Sequence, residues 1–458
     1  MPLVLGSNSA SAGGYNVDNS LRFNSGSSDY LNRTPATTTN QRTWTYSFWI
    51  KRTVLGTTQY FLYARNDDNN RSYFRFNSTD TLGFFATSSA SVKLEGTITS
   101  RVFRDVSAWY HIVLSADTTQ ATSANRFRVY VNGTEQTLTF DTTPSQNSDL
   151  SMNISHPTAI GVYVDGLSGY LNGYMSEIYM IDGQQLTPSS FGETDTDTNI
   201  WKPIPYTGSF GTNGFYLEFQ NSASLGTDSS GNGNNFTVNN LTSVDQSTDT
   251  CTNNFATLNP LNYTPSAITY TEGNLKTSYP GSWNAAISTI GVSTGKWYWE
   301  AKAVTGGNNI FYGIMTENAT TNSSTPYSQI GVLCGKTTDG DKYLDTTYTA
   351  GGFGTSANGD ILGFALDLSS GTKNLTITKN GASLTGGSVN LSSNFNNVNI
   401  FAFFAGNSSS ASAGWEANFG NPLYSANSYA DAEGFGNFSY AVPAGYFALC
   451  SKNLAEYA

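Results

Sequence analysis

The sequence predicts an all-β chain of two antiparallel β-sandwiches joined by a turn-rich linker, and three observations carry this. Aromatic residues make up 14% of the 458 residues and charged residues only 12%, against the roughly 25% charged usual for soluble domains. Short aromatic and β-branched runs are separated by turns rich in Gly, Asn, Ser and Thr, the pattern of many short strands. An Asn-Gly turn follows a strand-like run in each half of the chain, so the same hairpin is expected in both sandwiches.

Taken in order, Trp44, Tyr46, Phe48 and Ile50 alternate with Thr45 and Ser47, the period of a half-buried strand. Residues 109–114, 361–368 and 400–404 are apolar on both faces and fit central strands inside a sandwich. Phe127, Val129 and Val131 alternate with polar or tyrosine positions and run into Asn132-Gly133. Trp297, Trp299, Ala301 and Ala303 repeat the alternation, and residues 375–379 run into Asn380-Gly381. Asn-Gly supplies the two positive-φ positions of a type I′ turn. Between the halves lie the polar stretches 191–199, 221–240 and 246–254. The expected division is a sandwich at 1–195, a linker with short strands at 196–265 and a second sandwich at 266–458. No amphipathic run of helical length or heptad repeat is visible, so no coiled-coil stalk is expected.

Charge and cysteines narrow the function. The net charge is −11 and Lys/Arg runs are missing, which argues against a nucleic-acid partner. No 18-residue apolar stretch occurs, so no membrane insertion is expected. The opening residues lack the basic and apolar regions of a signal peptide. Cys251, Cys334 and Cys450 form no Cys-x-x-Cys pair and are expected as isolated, buried thiols. An adhesin-like composition without an export signal fits a virion protein, assembled in the host cytoplasm and working outside it.

Several residues invite a chemical reading. A Ser-His-Asp site would have to use one of the two histidines, His111 or His156. His111 lies in an apolar strand and is expected to be packed; His156 precedes Pro157 in a loop. Neither a Gly-x-Ser-x-Gly elbow nor a phosphate loop is present. Tyr60, Tyr63, Tyr73, Trp283 and Tyr327 lie in or near turn-rich stretches, where exposed rings among amides and hydroxyls suit glycans; strand packing is the competing role. Sequons at Asn77, Asn132, Asn318 and Asn407 follow from composition and are expected to carry no sugar.

Residues 46–52 (YSFWIKR), 109–114 (WYHIVL) with 128–133 (RVYVNG), and 170–187 (YLNGYMSEIYMIDGQQLT) resemble the laminin-G/pentraxin type of concanavalin-A-like sandwich, over about 20–192. Residues 295–300 (GKWYWE), 311–315 (FYGIM), 359–368 (GDILGFALDL), 375–381 (LTITKNG) and 418–420 (NFG) resemble a SPRY domain, over about 266–450. The pairing, with the stretches 206–219, 228–236 and 253–260 between, resembles structural proteins of tailed and particularly marine phages. These resemblances imply two concanavalin-A-like jelly rolls. They also imply a tail-fibre or receptor-binding component that engages host surface glycans, or a capsid-attached decoration or head-fibre protein. Other virion structural proteins and further copies of this chain are the partners implied.

The first resemblance also raises two chemistries. Glycanases of this superfamily carry Glu-x-Asp-x-(x)-Glu on one strand face, and the nearest match is Glu193, Asp195 and Asp197. Its Gly/Thr/Asn flanks predict a solvated segment instead, and Glu177 and Asp182 are wrongly spaced, so a glycan-cleaving tailspike is the least supported reading. Relatives sometimes hold calcium at the loop rim; Asp67, Asp68, Asn69 and Asn70, or Asp165 with Asp182, would be the oxygen ligands. Turns use these same residue types for their own geometry. The expectation is therefore a non-enzyme with no catalytic residue, no metal site and no cofactor, and with its ligand-binding residues unassigned. The loop 320–327, between two SPRY-like strands, sits at an edge where that family's ligands often bind.

Overall fold

The computed structural model describes residues 14–262, 268–279, 281, 283–304, 309–369, 371–407 and 413–458; the opening segment read for an export signal lies outside them. The chain divides into two compact units, with Ser11–Thr252 in one and Asn253–Ala458 in the other.

The first unit stacks two eight-stranded sheets. One runs Thr134–Glu135, Phe127–Val131, Trp109–Asp117, Thr43–Arg52, Gly173–Asp182, Ser20–Phe23, Gln246–Ser247, with Phe215–Leu217 also pairing to Gly173–Asp182. The other runs Leu138–Thr142, Ser91–Ile98, Leu82–Ser88, Asn70–Phe76, Gln59–Asp67, Thr158–Ile160, Tyr30–Arg33, Thr237–Asn239. Alternate residues of both sheets meet in one core, including Phe48, Ile50, Ile112 and Met175 from the first and Leu62, Phe74 and Phe84 from the second. The hairpin turn forms as expected: Asn132 and Gly133 have φ of 47° and 77°.

The stretch expected as a linker is instead divided between the units. Leu217 pairs with Ile178, Val238 with Leu31, and Ser247 with Ser20, so residues up to Thr252 supply strands to the first sandwich. From Asn253 onward the backbone bonds into the second unit, through Ala256 N–H to Leu449 O and Leu258 N–H to Asn274 O. The reason is burial. The same segment covers the outer face of the first sheet, where Trp49, Trp109, Tyr174 and Cys251 form one apolar cluster and Val113, Tyr179, Ile181 and Phe191 another. Thr43–Arg52, expected to be half-buried, is therefore buried on both faces.

Buried carboxylates pin this cover. Glu177, at positive φ in a bulge of its strand, accepts hydroxyl hydrogens from Tyr216 (2.6 Å), Tyr15 (3.0 Å) and Tyr179. Burial raises its carboxyl above the ordinary range, against the pull of those hydroxyls. Asp249 pairs with Lys51 at 2.7 Å, both side chains fully buried, and accepts the Trp109 indole N–H at 3.1 Å. An unpaired charge there would be prohibitive, which makes the pairing obligatory.

The second unit repeats the plan with an eight-stranded and a six-stranded sheet. Trp297, Trp299, Trp415, Phe364 and Phe404 lie in its core, and Asn380 and Gly381 have φ of 50° and 77°. Glu300, fully buried, accepts from Ser439 N–H (2.8 Å), Tyr440 N–H (2.9 Å), Asn418 Nδ2 (3.1 Å) and Tyr298 OH (3.1 Å). It thereby ties the C-terminal segment to the strand Lys296–Val304. Phe447–Ala448 runs parallel to that strand, a departure from a purely antiparallel sandwich. A short helix, Ser451–Tyr457, follows.

Candidate functional site

A groove lies on the outward face of the first unit's second sheet. Register builds it. Tyr63 opposes Tyr73, Tyr73 opposes Phe85, and Phe85 opposes Glu95; one row over, Tyr60 opposes Arg75, Arg75 opposes Gly83, and Gly83 opposes Thr97. The inward partners in the same strands, Phe74, Phe76, Leu82 and Phe84, face the core. Gly83 leaves a gap in its row: a Cβ there would stand 2.9 Å from the Asn77 side-chain amide. Asn77 is held in place by donating to Thr81 Oγ1 (3.1 Å) and accepting from Arg75 Nε (3.0 Å). The result is a groove of about 500 Å³, within the size of small-ligand sites.

Polar and apolar groups share its walls equally. Thr58, Thr79, Thr81, Thr97 and Thr99 line it with Asn77, and Arg75, Glu95 and Asp141 are the charged lining residues. Arg75 Nη1 donates to Tyr60 OH at 2.9 Å, and its guanidinium lies 5.0 Å from the Tyr73 ring. Tyr73 and Phe85 stack nearly parallel at 4.8 Å. The Glu95 and Asp141 side chains make no hydrogen bond or ion pair among the described residues, whereas Arg65 and Arg71 on the same sheet both pair with Asp68. Such an arrangement can exchange hydrogen bonds with a ligand rich in hydroxyl groups.

The five candidate rings are dispersed. Tyr60 and Tyr63 are buried in a ring cluster with Tyr73 and Tyr163, and of these three candidates Tyr73 alone lines the groove. In the second unit Trp283 and Tyr327 meet at 4.6 Å, with Tyr327 stacked on Phe311 at 4.6 Å. The loop 320–327 thus packs Tyr327 against the outer face of the six-stranded sheet, beside Phe311 and Cys334. Strand packing accounts for most of these rings.

The other singled-out residues take structural roles. Glu193 lies in a short strand paired to Trp201–Pro203. Asp195 begins a turn, accepting the Thr198 N–H at 2.9 Å and the Asp197 N–H at 3.1 Å, and these bonds with Lys202 pull its carboxyl far below the usual range. Glu193 and Asp195 both pair with Lys202; the three acids form no strand-face triad, because the strand ends at Thr194. Asp67 caps its own hairpin by accepting from Asn69 N–H and Asn70 Nδ2. Asp165 pairs with Arg65, while Asp182 accepts from Thr39, Asn40 and Asn213, so they do not share a site. His111 is enclosed by Ser47, Trp49 and Trp201; His156 donates its backbone N–H to Ile154 O. Cys251, Cys334 and Cys450 are free and buried, and burial raises all three thiols.

Sequence reasoning missed Arg75, Gly83, Glu95 and Asp141. The alternation of Arg71, Tyr73 and Arg75 with Ser72, Phe74 and Phe76 marks an outward face. Which residues of the neighbouring strands oppose them is set by register.

Residues 25–190 match the family model Laminin_G_3, described as the concanavalin A-like lectin/glucanases superfamily. The comparison with curated proteins gives no match. Among solved structures, the chain is similar to mouse laminin alpha1 domains LG4-5, with 10% identity, a TM-score of 0.32, and coverage of 91% of this chain and 93% of that one. The SPRY domain of human HERC1 follows at 12% identity and a TM-score of 0.28, over 35% of this chain and 96% of that domain. The heptameric SAP-like pentraxin from Limulus polyphemus shares 18% identity at a TM-score of 0.27, over 40% of this chain and 76% of its own. At such scores these likenesses carry no argument about function.

Proposed function

We propose that this chain is a non-enzymatic phage virion surface protein of the tail-fibre, receptor-binding type, which engages host surface glycans through the first sandwich. The observation that carries the glycan reading is the groove between Asn77 and Glu95, lined by hydroxyl, amide and unpaired carboxylate groups. The lectin-type description of the family model over 25–190 is in keeping with it. The virion setting rests on the resemblance of the two modules and their junction to phage structural proteins; a capsid-attached decoration or head-fibre role is the alternative. Other virion proteins and further copies of this chain are its proposed partners, with no nucleic acid, membrane insertion or cofactor involved. Immunogold labelling of intact particles separates tail from head.

Glu95 and Asp141 raise the question of cleavage. A glycosidase acid must be held protonated, usually by burial. Asp141 is exposed and Glu95 is half-exposed, so neither is sheltered for that task. Purified chain incubated with host polysaccharide is expected to release no reducing ends; release abolished by Glu95→Gln would make it a hydrolase.

The direct test of binding is retention of the full chain on immobilised host-cell polysaccharide. Thr97→Trp fills the groove from an outward strand position that tolerates aromatics. Retention by the wild type and at least about tenfold weaker binding by Thr97→Trp, about 1.4 kcal/mol, supports the reading. Equal retention of both contradicts it.

A further inference from the structure

The charge arrangement of the groove says which glycans fit it. Two carboxylates, Glu95 and Asp141, and one guanidinium, Arg75, line it, so its formal charge is negative. Two of the guanidinium's five N–H groups are used, Nε on Asn77 and Nη1 on Tyr60. The two carboxylates have no hydrogen bond or ion pair among the described residues. The rest of the chain reinforces the sign, with a net charge of −11.

Resting on the reading of this groove as a glycan site, we infer that it selects neutral, hydroxyl-rich saccharides and rejects sulfated or uronate-rich polyanions. A carboxylate accepts only. It can take two hydrogens from neighbouring sugar hydroxyls in short, charge-assisted bonds, while the anionic oxygens of a sulfate or uronate group offer it no hydrogen and repel it. Thr97 and Asn77 supply donors and acceptors for the remaining hydroxyls. The ring faces do not provide a free stacking platform: Tyr73 and Phe85 lie against each other, with Arg75 against Tyr73 and Arg71 5.6 Å from Phe85. Recognition is therefore by hydrogen bonding to hydroxyl groups. Gly83 sets the depth, because any side chain there would displace the Asn77 amide.

The test uses the full chain on a panel of neutral oligosaccharides, heparin and a polyuronate, at low and high salt. The variants are Thr97→Trp and the near-isosteric double variant Glu95→Gln with Asp141→Asn, each first checked for unchanged thermal unfolding. The expected result is binding of neutral members, with affinity insensitive to salt. It should weaken at least tenfold in the double variant and be lost in Thr97→Trp, with no binding of heparin or the polyuronate. Salt-sensitive binding of either polyanion that Thr97→Trp abolishes overturns the selectivity but leaves the groove as a glycan site. Neutral binding unchanged in the double variant also overturns it. Binding that Thr97→Trp does not touch, or no binding across the panel, defeats the groove reading and the inference with it.

Discussion

Trp201 donates its indole N–H to Nδ1 of His111 at 2.9 Å. Indole nitrogen only donates, so Nδ1 accepts and the ring proton sits on Nε2, which meets Ser47 Oγ at 2.9 Å. One bond thus fixes a neutral tautomer and fastens the covering segment to the first sheet, whose strands hold both Ser47 and His111.

That geometry gives a pH dependence. Burial pushes His111 down from 6.5 to about 3. Between these values the unfolded chain binds a proton that the folded one refuses, so stability falls as pH drops from about 6.5 toward 3. The slope is at most about 1.4 kcal/mol per pH unit. Above pH 6.5 this contribution is constant. Denaturant unfolding of the wild type and His111→Gln across this range should show the steeper loss in the wild type. Parallel curves would mean that His111 is charged or exposed in the fold.

The boundary at Thr252 makes a second prediction. A fragment ending at 195 loses the strand paired to Ile178–Met180, the Tyr216 hydroxyl on Glu177 and the Asp249 partner of Lys51. It also uncovers the apolar face of Trp49, Trp109 and Tyr174, a cost of several kcal/mol. The expected outcome is no cooperative unfolding transition for 1–195 and a single one for 1–252. Cooperative melting of the shorter fragment would restore the linker.

Tyr216→Phe isolates one of these pins. The ring stack on Tyr179 at 4.4 Å remains, and only the hydroxyl bonded to Glu177 Oε1 is removed. Leaving a buried acceptor short of a donor costs about 1–3 kcal/mol, measurable as a lower denaturation midpoint of the first unit at unchanged m-value.

Gly381→Val tests the second hairpin. Gly381 has φ +77°, and a Cβ there would stand 2.5 Å from the Tyr440 ring. The left-handed conformation alone costs about 1–2 kcal/mol for an L-residue, and the ring clash adds to it. Calorimetry should show the second unit melting several degrees lower and the first unit unchanged. In the loop 320–327, Ala substitutions at exposed positions should stay within about 0.5 kcal/mol; Tyr327→Ala should cost more, since its ring packs on Phe311 and Trp283.

Local chemistry made much of this fold legible. Asn132-Gly133 and Asn380-Gly381 announce their turns because few other dipeptides accept two positive φ values. The alternation from Trp44 to Ile50 and from Trp297 to Ala303 marks the strands that build the cores. The cover was hidden for the opposite reason: Phe215–Leu217, Thr237–Asn239 and Gln246–Ser247 are two or three residues long, too short for any period to show. Their place depends on partners roughly 40 to 230 positions away. The groove was hidden by register, since Arg75, Gly83 and Thr97 become neighbours only once three strands are aligned. The solvated role read for Glu193 and the packed role read for His111 both followed from their immediate flanks.

The face formed by Asn70–Phe76, Leu82–Ser88 and Ser91–Ile98 is the proposed place where a saccharide binds. A crystal structure of the chain soaked with a host-derived neutral oligosaccharide tests it most directly. The sugar is expected between Asn77 and Thr97, with hydroxyl groups on Glu95 and Asp141. A sugar bound elsewhere on the chain, with this groove empty, would contradict it.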